Sequence, residues 1–102
     1  MTSMEMVKLE MQFRDLKEEI EREIQDIWVI LYTLDDIYED RLRDSKSIAI
    51  SHALQDSLTE LVNKINSIET VYIKTGFESR MFKCEQMKAN IVEFMVFIQE
   101  NY

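Results

Sequence analysis

Few residues in this chain are equipped for chemistry. His52 is its only histidine and Cys84 its only cysteine. A thiolate–imidazole pair needs the two within hydrogen-bond reach, so their places on the fold decide whether one is available. Four acids crowd one short segment, with Asp35 four residues before Glu39 and Asp36 four before Asp40. On a helix each pair shares a face, and carboxylates so placed hold a hard cation weakly. A di-iron centre of bridging carboxylates needs Glu-x-x-His from two helices, and one histidine cannot supply two. The quartet therefore reads as a solvated acidic helix end, and no metal or cofactor is expected.

The segment "SHALQD" at 51–56 resembles the H-x-L start of histidine phosphotransfer helices, which would make His52 a phosphoryl acceptor. That motif continues with Lys-Gly, whereas Gln55 and Asp56 follow here. An acid four residues on repels an incoming phosphoryl group. No Gly-rich phosphate loop, serine elbow or zinc-ligand spacing occurs, and the expectation is a protein that is not an enzyme.

One Gly and no Pro in 102 residues, against ordinary usage of about 7% and 5%, argues for long uninterrupted helices rather than sheets with tight turns. Apolar residues make up 46% of the chain and charged ones 31%, enough apolar surface to offset the entropy of ordering. The net charge of -8 disfavours direct nucleic-acid binding and anionic membrane surfaces, which need clustered Lys and Arg. Residues 1–44 carry 13 acids and 6 bases, and residues 45–102 carry 7 and 6, so the acidic surface belongs to the first part of the chain. A lone cysteine gives no internal disulfide, and "MTSMEMVKLEM" lacks the pattern of a secretory leader. With no apolar run near 18 residues, a soluble cytoplasmic protein is expected.

Apolar residues at Met6, Leu9, Phe13, Leu16, Ile20, Ile27, Ile30, Leu34 and Ile37 step by three and four, interrupted at Glu23, and predict one coiled-coil-like helix over 3–43. A second series, Ile50, Leu54, Leu58, Leu61, Ile65, Ile68 and Tyr72, predicts a helix over 47–75. Gly76 suits a left-handed helix end, while Thr75 to Glu78 also matches a capping box; either puts a turn there. Met81, Cys84, Met87, Ile91, Phe94 or Met95, and Ile98 predict a third helix over 78–100. The expected fold is all-α: one domain over 1–102, a three-helix antiparallel bundle running up, down, up.

With the first turn centred near residue 45, "IWVILYTL" at 27–34 comes level with "IVEFMVFI" at 91–98. Ile27, Ile30, Leu31 and Leu34 face the seam. Trp28, Val29 and Tyr32 fall on the back of the helix, and Val92, Val96 and Phe97 sit roughly 100–140° from the inner stripe of the third helix. These six are expected to form an exposed apolar belt, a reason to suspect association. The same levels leave residues 1–12 overhanging the other helices by about 18 Å. Met6 and Leu9 keep the seam running there, and Met1, Met4, Met6 and Met11 put four of the seven methionines on a surface suited to adapting to partners.

These features point to a protein–protein interaction module, an adaptor, chaperone-like escort or inhibitor, whose simplest form is a homodimer. The alternative is an acidic decoy that imitates nucleic-acid phosphates and occupies a basic groove on a DNA- or RNA-binding protein. In size, acidity and helix content the chain is similar to small helical secretion chaperones and helical-hairpin secreted proteins. Trp28 is followed by Val-Ile, however, where such hairpins place a turn glycine.

Overall fold

Among the described residues three helices make up the fold: α1 over Ser3–Ile37, α2 over Ser45–Thr75 and α3 over Glu78–Asn101. The computed structural model describes residues 2–37 and 45–102. The predicted end of the first helix at 43, together with Met1, Tyr38, Glu39, Asp40 and Arg43, lies outside the described residues. α2 opens two residues before the predicted position, and α3 closes one residue after it. The bundle is long and thin, 55 × 18 × 18 Å.

Local chemistry sets the helix ends. Thr2 caps α1, its Oγ1 accepting from the Glu5 amide at 3.2 Å, which satisfies one of the free donors of a first turn. At the end of α2 the glycine reading prevails over the capping box. Gly76 has φ +70°, its amide donates to the Ile73 carbonyl, and the Phe77 amide donates to that of Tyr72. These are the two bonds of a Schellman motif, and the hydrophobic contact that usually completes one is present: the rings of Tyr72 and Phe77 stack at 5.7 Å. The Thr75 hydroxyl is turned back onto the Tyr72 carbonyl.

The periodic seam becomes the core. Leu9, Phe13, Leu16, Ile20, Ile27 and Leu34 of α1 are buried against Leu54, Leu58, Leu61, Ile65 and Tyr72 of α2 and Cys84, Ile91 and Ile98 of α3. Ile30 departs from expectation at 39% exposed, while Leu31 is fully covered. A straight helix drifts about 20° per heptad against a strict 3.5-residue repeat, and over the three heptads from Leu9 to Ile30 that drift, about 60°, carries Ile30 off the seam and brings Leu31 onto it. α2 and α3 approach each other most closely, tied by Lys88, whose Nζ donates to Glu69 Oε1 at 2.6 Å and to Asn66 Oδ1 at 3.1 Å.

The relative level of α1 differs from the sequence expectation. Glu10 accepts from Tyr72 Oη at 2.9 Å, and Glu19 pairs with Lys64 at 2.6 Å. Glu10 therefore meets α2 about eight residues, or roughly 12 Å, from where a turn centred at 45 puts it. Most of the predicted overhang is thereby lost. Leu9 is a core residue at 5% exposure rather than part of an interface, and Met6 is half-buried. Only the first turns of α1 reach beyond the other helices.

Candidate protein interface

Trp28 follows the seam residue Ile27, so its side chain is turned about 100° from the seam. α3 lies on that side, which makes Trp28 a bridge rather than a solvent-facing ring. Its indole stacks on Phe94 at 5.1 Å and on Tyr32 at 5.7 Å, and leans on Phe97 at 5.5 Å. Phe97 also meets Tyr102 edge-on at 6.3 Å, and Tyr102 Oη donates to Asp35 Oδ2 at 2.8 Å. The result is a shelf of five aromatic rings spanning α1 and α3. Contacts of this kind contribute about 0.5–1.5 kcal/mol each beyond the area they bury, so the shelf holds together two helices whose backbones stay apart. Its outer rings remain wet: Tyr32 is 62% exposed and Phe97 37%.

The predicted belt divides when placed on the fold. Trp28, Tyr32 and Phe97 come together in the shelf. Val29 is exposed on the back of α1. Val92 and Val96 are also exposed, but by helical period they sit about 160° around α3 from Phe94, on the opposite flank. Met6 lines a groove of about 580 Å³ with Val7, Glu10, Met11, Phe13, Arg14, Lys17 and Arg80, at the other end of the cleft between α1 and α3. Of the acidic quartet, Asp35 is engaged by Tyr102 and Asp36 is exposed. Phe94, Tyr102 and Val7 were not expected to join this surface. Val7 was legible in principle, since Met4, Val7 and Met11 repeat the three-and-four step on the back of the helix that Val29 and Tyr32 continue.

The groove end of α1 is held by charge. Arg80 donates from Nη2 and Nε to Glu10 Oε2 at 2.7 and 3.0 Å, while its guanidinium lies 4.7 Å over the Phe13 ring. The Arg80 hydrogen bonds hold the Glu10 carboxyl below its ordinary value, opposed by partial burial and assisted by the Tyr72 hydroxyl. Burial, with the Glu10 carboxylate beside it, pushes the Tyr72 hydroxyl upward. A carboxyl depressed in the folded state stabilises the fold above its unfolded value, and that contribution is lost as pH falls through the folded one. Glu10 should thus add an acid-labile increment that is full above its ordinary value of 4.5 and fades as pH falls below it toward the lowered folded value. With both side chains about one-third exposed, solvent screening limits it to roughly 1 kcal/mol or less. Denaturant unfolding between pH 3 and 6 should show this slope in the wild type and a flatter one in Glu10→Gln.

The reactive residues are far apart. His52 is exposed beside a shallow pocket lined by Ile48, Ser51, Gln55, Gln99 and Tyr102. Cys84 is wholly buried, its thiol pushed up to about 11 by burial first and by Glu69 second, so it stays protonated near neutrality. Glu69, its neighbour, is 17 residues along α2 from His52, about 25 Å, and no thiolate–imidazole pair forms. Among the described residues no three His, Cys, Asp or Glu side chains stand close enough to hold a metal ion, and no helix is long and apolar enough to cross a membrane. Set against protein-family models, curated proteins and solved structures, the chain matches none.

Proposed function

We propose that this chain is a non-enzymatic protein-interaction module of the cytoplasm, an adaptor, escort or inhibitor that works through the α1–α3 side of the bundle. One observation carries the reading. Met4, Val7, Met11, Val29 and Tyr32, each at least half exposed, share the back of α1, the first three beside the groove at one end of the bundle and the last two at the aromatic shelf. Single exposed apolar side chains are ordinary, but two clusters of them on one helix face, one rich in Met and the other in aromatic rings, have the composition of an interface, where Tyr, Trp and Met are enriched.

The test is dye binding and partner capture on the folded chain. A hydrophobic dye should bind the dilute protein, and Trp28→Ala and Tyr32→Ala should each weaken dye binding or capture roughly tenfold, the scale of an interface hot spot. Helicity should be kept in Tyr32→Ala, whose ring is mostly exposed. Capture should persist in high salt. Capture by basic proteins that falls steeply with salt would favour the phosphate-mimicking alternative instead, and a dilute chain that binds no dye would remove the apolar reading.

A further inference from the structure

The outward face of α1 follows the series Met4, Val7, Met11, Arg14, Glu18, Arg22, Gln25, Val29, Tyr32, Asp36, stepping by three and four from end to end. It is a second heptad stripe, opposite the one that makes the core, and every one of these side chains is exposed. Met4, Val7 and Met11 make one end apolar, Val29 and Tyr32 make an apolar pair before Asp36 at the other, and the middle is charged or polar. A stripe of this kind is what one strand of a coiled coil presents to another.

The geometry points to a second copy of this chain as the occupant, with the two α1 helices antiparallel about a two-fold axis near residue 20; this rests on the interaction-module reading and deepens it. In that register residue i of one copy lies opposite residue 40 − i of the other. Met11 meets Val29, and Glu18 meets Arg22; the two-fold repeats both pairs. Val7 falls level with Thr33, bringing Tyr32 of the other copy to the mouth of the groove lined by Met6, Val7, Met11 and Phe13.

The charges select this arrangement. A parallel pairing in register sets Glu18 on Glu18 and Arg22 on Arg22, like charges that destabilise where opposite ones stabilise. Sliding the antiparallel pair by one heptad places Glu18 against Asp15 in one direction and against Val29 in the other. Of these arrangements, the register centred near residue 20 sets Met11 on Val29 and pairs the middle charges, with Met4 falling opposite Asp36 at the edge of the contact. The contact would be long, since the stripe from Met4 to Asp36 spans about 48 Å of helix.

Sedimentation equilibrium of the full chain, with a charge-swap series and a cross-link, tests the proposal. The wild type should be a dimer at micromolar concentration. Glu18→Lys should weaken it by roughly tenfold, since two symmetric attractions become repulsions, and adding Arg22→Glu should restore it. A chain carrying Met11→Cys and Val29→Cys should oxidise to a disulfide-linked dimer, and Met11→Cys alone should not, because its counterpart lies about 27 Å away. Circular dichroism of each variant checks that the bundle remains folded. A dimer insensitive to charge reversal, or one that does not cross-link, assigns self-association to another face and overturns this register. A monomer at high micromolar concentration that still binds dye overturns the second copy as occupant and leaves the interaction module standing, while one that binds no dye removes both.

Discussion

Leu58→Ala is expected to lower stability by about 3–4 kcal/mol, within the range measured for leucine truncation in well-packed cores. Leu58 is 0% exposed and sits midway along α2, the helix that packs on both of the others. The cavity cannot close by moving one neighbour, because α2 and α3 are already in close contact and α1 is held at Glu10 and Glu19. Against a total stability of about 5–15 kcal/mol for a domain, this is a large fraction. The midpoint of thermal unfolding should fall by roughly 15–25 °C, at about 4–8 °C per kcal/mol for a domain near this size. Leu54→Ala, nearer the end of the bundle and 7% exposed, should cost less. Protein concentration must be matched between variants, since self-association would add a concentration-dependent increment. A loss below about 1 kcal/mol for Leu58→Ala would mean that the site collapses freely and that the helices are less tightly packed than their burial indicates.

The core and the helix count were readable from the sequence because period and composition are local properties. The three-and-four steps named Leu9, Phe13, Leu16 and Ile20, and all are buried; the lone glycine marked the α2–α3 turn and has the positive φ that such a turn requires. The relative level of the helices was not readable. The charged run after Ile37 placed a turn near residue 45, yet Glu10 pairs with Tyr72, a match that depends on ring sizes and hydrogen-bond partners rather than on apolar spacing. The place of Trp28 depended on the hand of the bundle. Period alone puts it off the seam; only the side taken by α3 decides whether it meets Phe94 or water. The same limit hid the division of Val92 and Val96 from Phe97, because an apolar count does not say which flank of a helix faces a neighbour.

Lys88→Ala is expected to cost about 2–4 kcal/mol, far more than an ordinary surface lysine. Its ammonium lies 2.6 Å from Glu69 Oε1, and the two side chains are 23% and 11% exposed. The other oxygen, Glu69 Oε2, is buried with no hydrogen-bond partner among the described residues, so the carboxylate already bears a desolvation penalty of the sort that costs about 1–3 kcal/mol or more. Removing Lys88 takes away the remaining compensation, and breaking a buried pair from one side typically costs about 3–5 kcal/mol; partial exposure at Lys88 sets the expectation somewhat lower. Replacing both partners is the informative control. Lys88→Met with Glu69→Leu puts apolar volume where the pair was and should come within about 1 kcal/mol of wild type, or exceed it, because apolar replacement of a buried pair is often neutral or stabilising. The double-mutant cycle with the corresponding single variants should return a coupling of about 1 kcal/mol or more. Additive costs would mean that water reaches the carboxylate and that the pair does little to fix α3 on α2. A strong coupling instead makes this pair the tie that sets the register of α3, and so the level at which Phe94 and Phe97 are presented to Trp28.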